Sequence, residues 1–333
     1  ATGARELLLP FPGWTRPGVI GAGAAQALRE SGARFAGLRV VVAGSGPLLL
    51  AVAAALRKAG ARVVGLAEQA PRARLAAFAA GLARSPHRLV QAAGHLAALA
   101  GVPHRTGAWV REAVGGERLE RVVVCDGRRE WSWDCDLLAC GFGLVPNLEL
   151  PRLLGCATGF DAVVLDASQQ TSVPGVFAAG ELGGIAGVEH ALASGAIAGL
   201  AAAGQPVPGA LLRRRRRERR FAARLSRAFA LREELRTLAR PDTIVCRCED
   251  VSLARIREAA AIAPALRGLK LHTRAGMGPC QGRVCGAALG FLFGWSADTI
   301  RPPLLPAPLA LLAESGGDAP GASSVLASQE ERR

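Results

Sequence analysis

Four cysteines constrain this chain more than any other feature. Cys246 and Cys248 stand one residue apart, thirty-one residues follow, and Cys280 and Cys285 complete the set. Two irons bridged by two sulfides each need two further ligands to become tetrahedral, and four thiolates arriving as two close pairs supply that number. Thr243-Ile-Val-Cys-Arg-Cys reads as a short strand running into a turn. Gly276-Met-Gly-Pro-Cys is a Gly/Pro-rich segment able to bend backbone amides toward sulfur before a helix expected to begin near Gln281. The quartet therefore reads as the ligand set of a [2Fe-2S] cluster.

Zinc is the nearest rival. Its structural sites space ligands as C-x(2-4)-C, which Cys280/Cys285 satisfies and Cys246/Cys248, with one intervening residue, does not. A pair of disulfides fits poorly, because no secretory signal of the n-region, h-region and cleavage-site kind is present. Cys125, Cys135, Cys140 and Cys156 share no spacing and sit among apolar residues, so they read as small buried hydrophobes.

With 333 residues, half of them apolar, the chain has the length for roughly two or three domains. The formal charge of +14 would ordinarily raise nucleic acid or an anionic membrane as a partner. Most of the excess sits in one segment: between Leu211 and Arg240 twelve arginines face only Glu218, Glu233 and Glu234. There Phe221, Leu225 and Phe229 recur every four residues, the spacing of one helical face, which predicts an amphipathic helix with a solvated basic side. Without a recognition motif or interleaved stacking aromatics, nucleic acid is not expected as a partner, and an acidic protein partner suits the charge better. Val40 to Leu56 is nearly all apolar, but it is short for a membrane span and is broken by Gly44, Gly46 and Pro47.

That same stretch has the grammar of a βα turn: a β-branched run, the Gly44-Ser-Gly46-Pro47 bend, then helix-forming residues. Gly44 permits the sharp turn, Gly46 lets the backbone approach a pyrophosphate, and the helix N-terminus supplies amides. The next strand ends at Glu68, where an acidic side chain would accept hydrogen bonds from a ribose and favour NAD over NADP. The third glycine of the fingerprint is replaced by Leu49, so NAD(P) or another adenine nucleotide is one expectation and a βαβ unit that merely packs is the other. Two later segments suit a flavin. Cys135 to Asn147 reads as a buried strand ending in a glycine-rich bend, and Thr171 to Glu181 as a strand ending on an acid. A helix then starts near Gly187, whose N-terminus can face a phosphate or a flavin edge while Glu181 holds ribityl hydroxyls.

Taken in order, these stretches resemble the two-dinucleotide-binding-domain flavoproteins of the pyridine nucleotide-disulfide oxidoreductase type. The branch they resemble is the larger electron-transfer subunits of bacterial amine and imino-acid dehydrogenases, such as those of opine oxidase, hydrogen cyanide synthase and proline or hydroxyproline dehydrogenase. The stretches that carry the resemblance are Ala1-Thr-Gly-Ala-Arg-Glu, Pro10-Phe-Pro-Gly-Trp, the Gly44/Gly46 turn, Asp136 to Asn147, Ala179-Gly-Glu, and Thr273 to Cys285, which is similar to a C-terminal BFD-like domain. The resemblance implies FAD, with Thr2 and Gly3 near its pyrophosphate or adenosine and Gly180, Glu181 and Val188 near the ribityl chain and ring. It also implies that the first βαβ unit of the flavin lobe is missing upstream of Ala1, so that the chain reads as a fragment.

The expected fold is α/β, Rossmann-like with an incomplete FAD lobe, plus a small helical [2Fe-2S] domain. The divisions expected are a remnant of the FAD-binding domain over 1–36, an NAD(P)-binding-like domain over 37–125, a return to the FAD domain over 126–208, an Arg-rich linker helix over 209–240, the cluster domain over 241–298 and a Pro-rich tail over 299–333. No catalytic residue is assigned: there is no Cys-x-x-Cys beside a flavin, His87, His95, His104 and His272 are dispersed, and His190 reads as a helix residue near the domain surface. The function implied is electron transfer within a heteromeric amino- or imino-acid dehydrogenase. The implied partner is a glycine-oxidase-like FAD subunit, and a small ferredoxin-like subunit is a second candidate. The setting is cytoplasmic, with peripheral attachment at the inner membrane face as a variant and no transmembrane segment. A self-contained NAD(P)H-dependent flavin reductase and a zinc-stabilised binding module are the alternatives.

Overall fold

The structure, a computed structural model, describes residues 1–83, 85–159, 161–295 and 300–310. In chain order the elements are β1 (Ala4–Glu6), β2 (Val19–Gly21), α1 (Ala22–Glu30), β3 (Arg39–Gly44), α2 (Leu48–Lys58), β4 (Arg62–Glu68), α3 (Arg72–Leu82), α4 (Pro86–Ala98) and β5 (His104–Thr106). There follow β6 (Trp109–Val114), β7 (Arg121–Cys125), β8 (Glu130–Asp134), β9 (Leu137–Gly141), β10 (Leu144–Pro146), α5 (Glu149–Leu153), α6 (Val188–Ala202) and α7 (Gly209–Ala228). The last elements are β11 (Ile244–Cys246), β12 (Val251–Ser252), α8 (Leu253–Ile262), α9 (Leu266–Thr273) and α10 (Cys285–Phe293).

Val40, Val41 and Val42 are buried on both faces of β3, and a β-branched run buried on both sides is what a central parallel strand requires. β3 accordingly sits inside a five-stranded sheet of order β2-β9-β3-β4-β5, parallel throughout. One face packs on α1 and α2, where Leu49, Val52, Ala53 and Leu56 form the buried stripe of α2. Leu49, in the place of the third glycine, is 2% exposed and fills that helix-sheet core. The other face packs on the antiparallel ribbon β6-β7-β8 through Trp109, Val110, Val122 and Val124.

The apolar face predicted for the arginine helix packs on α3, with the Phe78 ring 5.9 Å from Phe221 and 5.5 Å from Phe229. The helix is shorter than expected: α7 ends at Ala228, and the chain continues extended before a 3-10 turn at Glu233–Thr237. Two further expectations are corrected. No regular strand forms over 171–179, because Pro174-Gly175 turns the chain and Val176 bonds back to Val173, which leaves a single bridge between Gln170 and Phe177. His190 is not at the surface but buried in α6, and burial holds its pKa below the ordinary value. No helix among the described residues is long and apolar enough to cross a membrane. The Pro-rich tail expected over 299–333 lies outside the described residues except for 300–310.

Candidate cofactor sites

β11 delivers the first cysteine. Val245 and Cys246 bury in a small core with Val251, Leu253, Ile256, Leu269 and Leu289, and the turn after Cys246 returns through Asp250, at φ 48°, to the paired strand β12. Cys248 is thereby left at the surface. The second pair comes from the loop before α10, where Gln281 is also left-handed, at φ 49°. The helix expected near Gln281 begins four residues later, because Pro279 and the glycines at 276, 278 and 282 favour turns, and Cys285 opens its first turn. Gly278 is demanded by contact: a Cβ there would lie 2.3 Å from Cys248 Cβ.

The folding sets the four sulfurs in two contacting pairs. Cys246 and Cys285 are 1% and 2% exposed and in contact. The Cys285 thiol donates to the Cys246 sulfur, which also accepts from the Gly276 amide at 3.5 Å. This pulls Cys246 down to about 5, while Cys285, beside that sulfur and buried, is pushed up. Cys248 and Cys280 form the second contacting pair, exposed and half-buried respectively. Among the described residues no three His, Cys, Asp or Glu side chains converge as a single metal ion would need. An all-sulfur set in two pairs fits a two-iron core, whose irons each take two terminal thiolates.

Around the expected flavin site, Thr2 Oγ1 donates to the carbonyl of Asn147 (2.7 Å), whose side chain returns a bond to the Thr2 carbonyl (2.8 Å). β1 then pairs with β10. Glu181 accepts from the amides of Ala186 and Gly187, both at 3.0 Å, so it fixes the loop that starts α6. The first amides of α6 have no intrahelical acceptor, and beside them Val188 is 68% exposed with open space around Gly187. Gly180 donates its amide to Ser194 Oγ at 2.9 Å. These residues fit one end of a flavin. No hydrogen bond among the described residues joins Thr2 or Gly3 to Gly180, Glu181, Gly187 or Val188.

The Gly44 turn fits a dinucleotide poorly. Gly44, at φ 138°, is required by β9, since a Cβ would meet the Gly141 carbonyl at 1.8 Å. Glu68 is 5% exposed, and both its oxygens are taken by backbone amides, those of Gly46 and Ala70, each at 2.8 Å. Burial nonetheless outweighs these bonds and raises Glu68 to about 7.

Several residues at these sites were missed from the sequence. Arg5 Nε donates to the Arg283 carbonyl at 3.0 Å, and its guanidinium also reaches Asn147 Oδ1 (2.7 Å) and Glu149 (2.8 Å). Trp14 donates its indole N–H to the Ile244 carbonyl, and Arg247 lies over the Trp14 ring at 5.2 Å. Gln69 is fully buried. An arginine next to a Thr-Gly motif, and a glutamine ending an apolar strand, were the available signals.

A parallel sheet flanked by helices and an antiparallel ribbon, followed by a four-cysteine domain, is the architecture of a flavin- and NAD(P)-type oxidoreductase with an appended cluster module. The chain belongs to the pyridine nucleotide-disulphide oxidoreductase family, whose model matches residues 1–195, and residues 244–293 match the BFD-like [2Fe-2S] binding domain. It is an FAD-dependent oxidoreductase scaffold carrying a [2Fe-2S] cluster domain. Among its relatives, hydrogen cyanide synthase subunit HcnB of Pseudomonas aeruginosa is 36% identical over 90% of this chain and 69% of its own length. An opine oxidase subunit of Agrobacterium tumefaciens is 34% identical over 87% and 61%. The L-proline dehydrogenase of P. horikoshii shares the fold, with a TM-score of 0.62 at 20% identity over 94% of this chain and 57% of that one.

Proposed function

We propose that this chain is the flavin and iron-sulfur electron-transfer subunit of a heteromeric dehydrogenase acting on an amino or imino acid, of the opine, proline, hydroxyproline or glycine class. The observation that carries this reading is the docking of the cluster loop on the flavin lobe. Arg5, two residues after Thr2-Gly3, grips the loop between Cys280 and Cys285, and Trp14 grips the strand that ends at Cys246. FAD exchanges electrons in pairs or singly and the cluster takes them singly, so a protein holding both links two-electron substrate chemistry to one-electron acceptors.

The chain's own residues supply position. Arg5 and Trp14 fix the cluster domain, Glu181 fixes the loop before α6, and the Cys248/Cys280 pair stands at the surface where an acceptor can approach. In this reading substrate oxidation belongs to a partner, a glycine-oxidase-like FAD subunit, with a small ferredoxin-like protein completing the complex. The cleft lined by Arg213, Arg216, Arg217, Arg220 and Arg224 suits an acidic partner surface. We place the complex in the cytoplasm, with peripheral attachment at the inner membrane face where the acceptor is membrane-bound.

The test is anaerobic mixing of the full-length protein, co-purified with a glycine-oxidase-like subunit, with glycine, L-proline, hydroxyproline and an opine in turn. One of them should bleach the flavin and reduce the cluster, and only with the partner present. Stoichiometric bleaching by NADH without partner would select a self-contained reductase instead, and zinc without iron or labile sulfide would select a binding module.

A further inference from the structure

In a Rossmann unit the pyrophosphate and adenosine lie across the carboxyl ends of the first two strands. Here those ends belong to β3 and β4, and the chain's own residues 229–232 lie across them. Ser45 Oγ donates to the Phe229 carbonyl (3.0 Å). Gln69 Nε2 donates to Ser45 Oγ (2.8 Å) and reaches the carbonyls of Phe229 (3.3 Å) and Ala230 (3.4 Å), while its Oε1 accepts the Arg232 amide (3.2 Å). Arg74, at the start of α3, donates to the Ala230 carbonyl from the far side (3.2 Å). Leu231 packs into the main core, and the Arg232 guanidinium lies 4.8 Å over Trp109.

The turn itself, over residues 45–47, also offers a phosphate few donors. The Ser45 amide bonds the Gly141 carbonyl (2.8 Å), the Gly46 amide bonds Glu68, and Pro47 has none. A phosphate would meet a carboxylate where it needs N–H groups. A ribose would have to displace two amides from Glu68, and an adenine would have to expel the 229–232 segment.

We infer that this second dinucleotide-binding turn is the seat of the linker that leads into the cluster domain, and that its occupant is Phe229–Arg232 rather than NAD(P)(H). Beyond the seat, Leu235 and Leu238 enter the main core, Arg236 lies 4.6 Å over Phe291 of α10, and Arg240 pairs with Glu112 at 3.0 Å. The seat therefore anchors one end of a strap whose other end holds the cluster domain. This inference does not depend on the substrate class proposed above.

Two measurements on the full-length, FAD-loaded protein test it. Calorimetric titration with NADH and NADPH should give no saturable binding up to about 1 mM, and saturable binding at micromolar concentrations would overturn the inference. Hydrogen exchange should find the Arg232 amide protected, and Gln69→Ala or the milder Ser45→Ala should speed exchange across 229–235 by about tenfold, a loss of about 1.4 kcal/mol, with the visible absorbance of the cluster unchanged. Unchanged exchange in both variants would show that the segment is held elsewhere and would equally overturn it.

Discussion

Arg5 donates its Nε–H to the backbone carbonyl of Arg283 at 3.0 Å, tying the strand that follows Thr2-Gly3 to the loop between Cys280 and Cys285. The same guanidinium is held by Asn147 and Glu149, so the contact is braced from behind. A half-buried charged donor of this kind is worth on the order of 1–3 kcal/mol. Arg5→Ala should lower the free energy of unfolding by that amount and raise hydrogen exchange over 280–285, with the iron content per chain unchanged. Loss of iron in that variant would mean that Arg5 supports the cluster itself rather than its docking.

Trp14 makes the second tether, through its indole N–H to the Ile244 carbonyl and its ring beneath Arg247. Trp14→Phe keeps the apolar bulk and loses the hydrogen bond, so urea unfolding should show a cost of about 1 kcal/mol. Trp14→Ala also opens a cavity in the main core and should cost about 3–5 kcal/mol. Equal costs for the two variants would deny the hydrogen bond any role.

The cysteine pairs differ in depth, and their serine variants should differ accordingly. Cys246→Ser places a hydroxyl in the apolar core of the cluster domain, so both bound iron and folding of that domain should suffer, with iron falling below about a tenth of wild type. Cys248→Ser alters a proposed ligand at the surface, where the hydroxyl stays solvated, so the domain should remain folded by circular dichroism even as the cluster spectrum shifts. Identical behaviour of the two variants would contradict the assignment of an inner and an outer pair.

Glu68 gives a pH dependence with a definite sign. Burial raises its pKa from the ordinary 4.5 to about 7, so between those values the folded protein keeps a proton that the unfolded chain releases. The stability this proton provides is complete below about pH 4.5 and is lost as pH rises toward 7, on the order of 3 kcal/mol in all. Thermal melts across that range should show this decline in wild type and a flatter profile in Glu68→Gln. A profile that rises with pH in wild type relative to the variant would reverse the sign and refute the burial argument.

The sequence was most legible where chemistry or packing is local. The spacing of Cys246, Cys248, Cys280 and Cys285 pointed to a two-pair sulfur site because ligand number and backbone reach leave few options. Val40-Val41-Val42 followed by Gly44 and Gly46 predicted a buried strand and tight turn, since β-branched burial and positive φ are properties of those residues themselves. What was hidden depends on distant partners. Glu68 reads as a ribose acceptor until Gly46 and Ala70 are found bonded to both oxygens, and nothing near Phe229 announces that its carbonyl meets Ser45, 184 positions away. The tethers at Arg5 and Trp14 are likewise side chain to backbone bonds across more than two hundred residues, a class of contact that leaves no periodic trace.

Whether the two sulfur pairs hold an iron-sulfide core is tested most directly by analysis of anaerobically purified protein for iron, zinc and acid-labile sulfide, with electron paramagnetic resonance after dithionite reduction. About two irons and two sulfides per chain with a one-electron-reduced cluster signal is the expected result. About one zinc per chain, with neither iron nor sulfide and no signal, would contradict it.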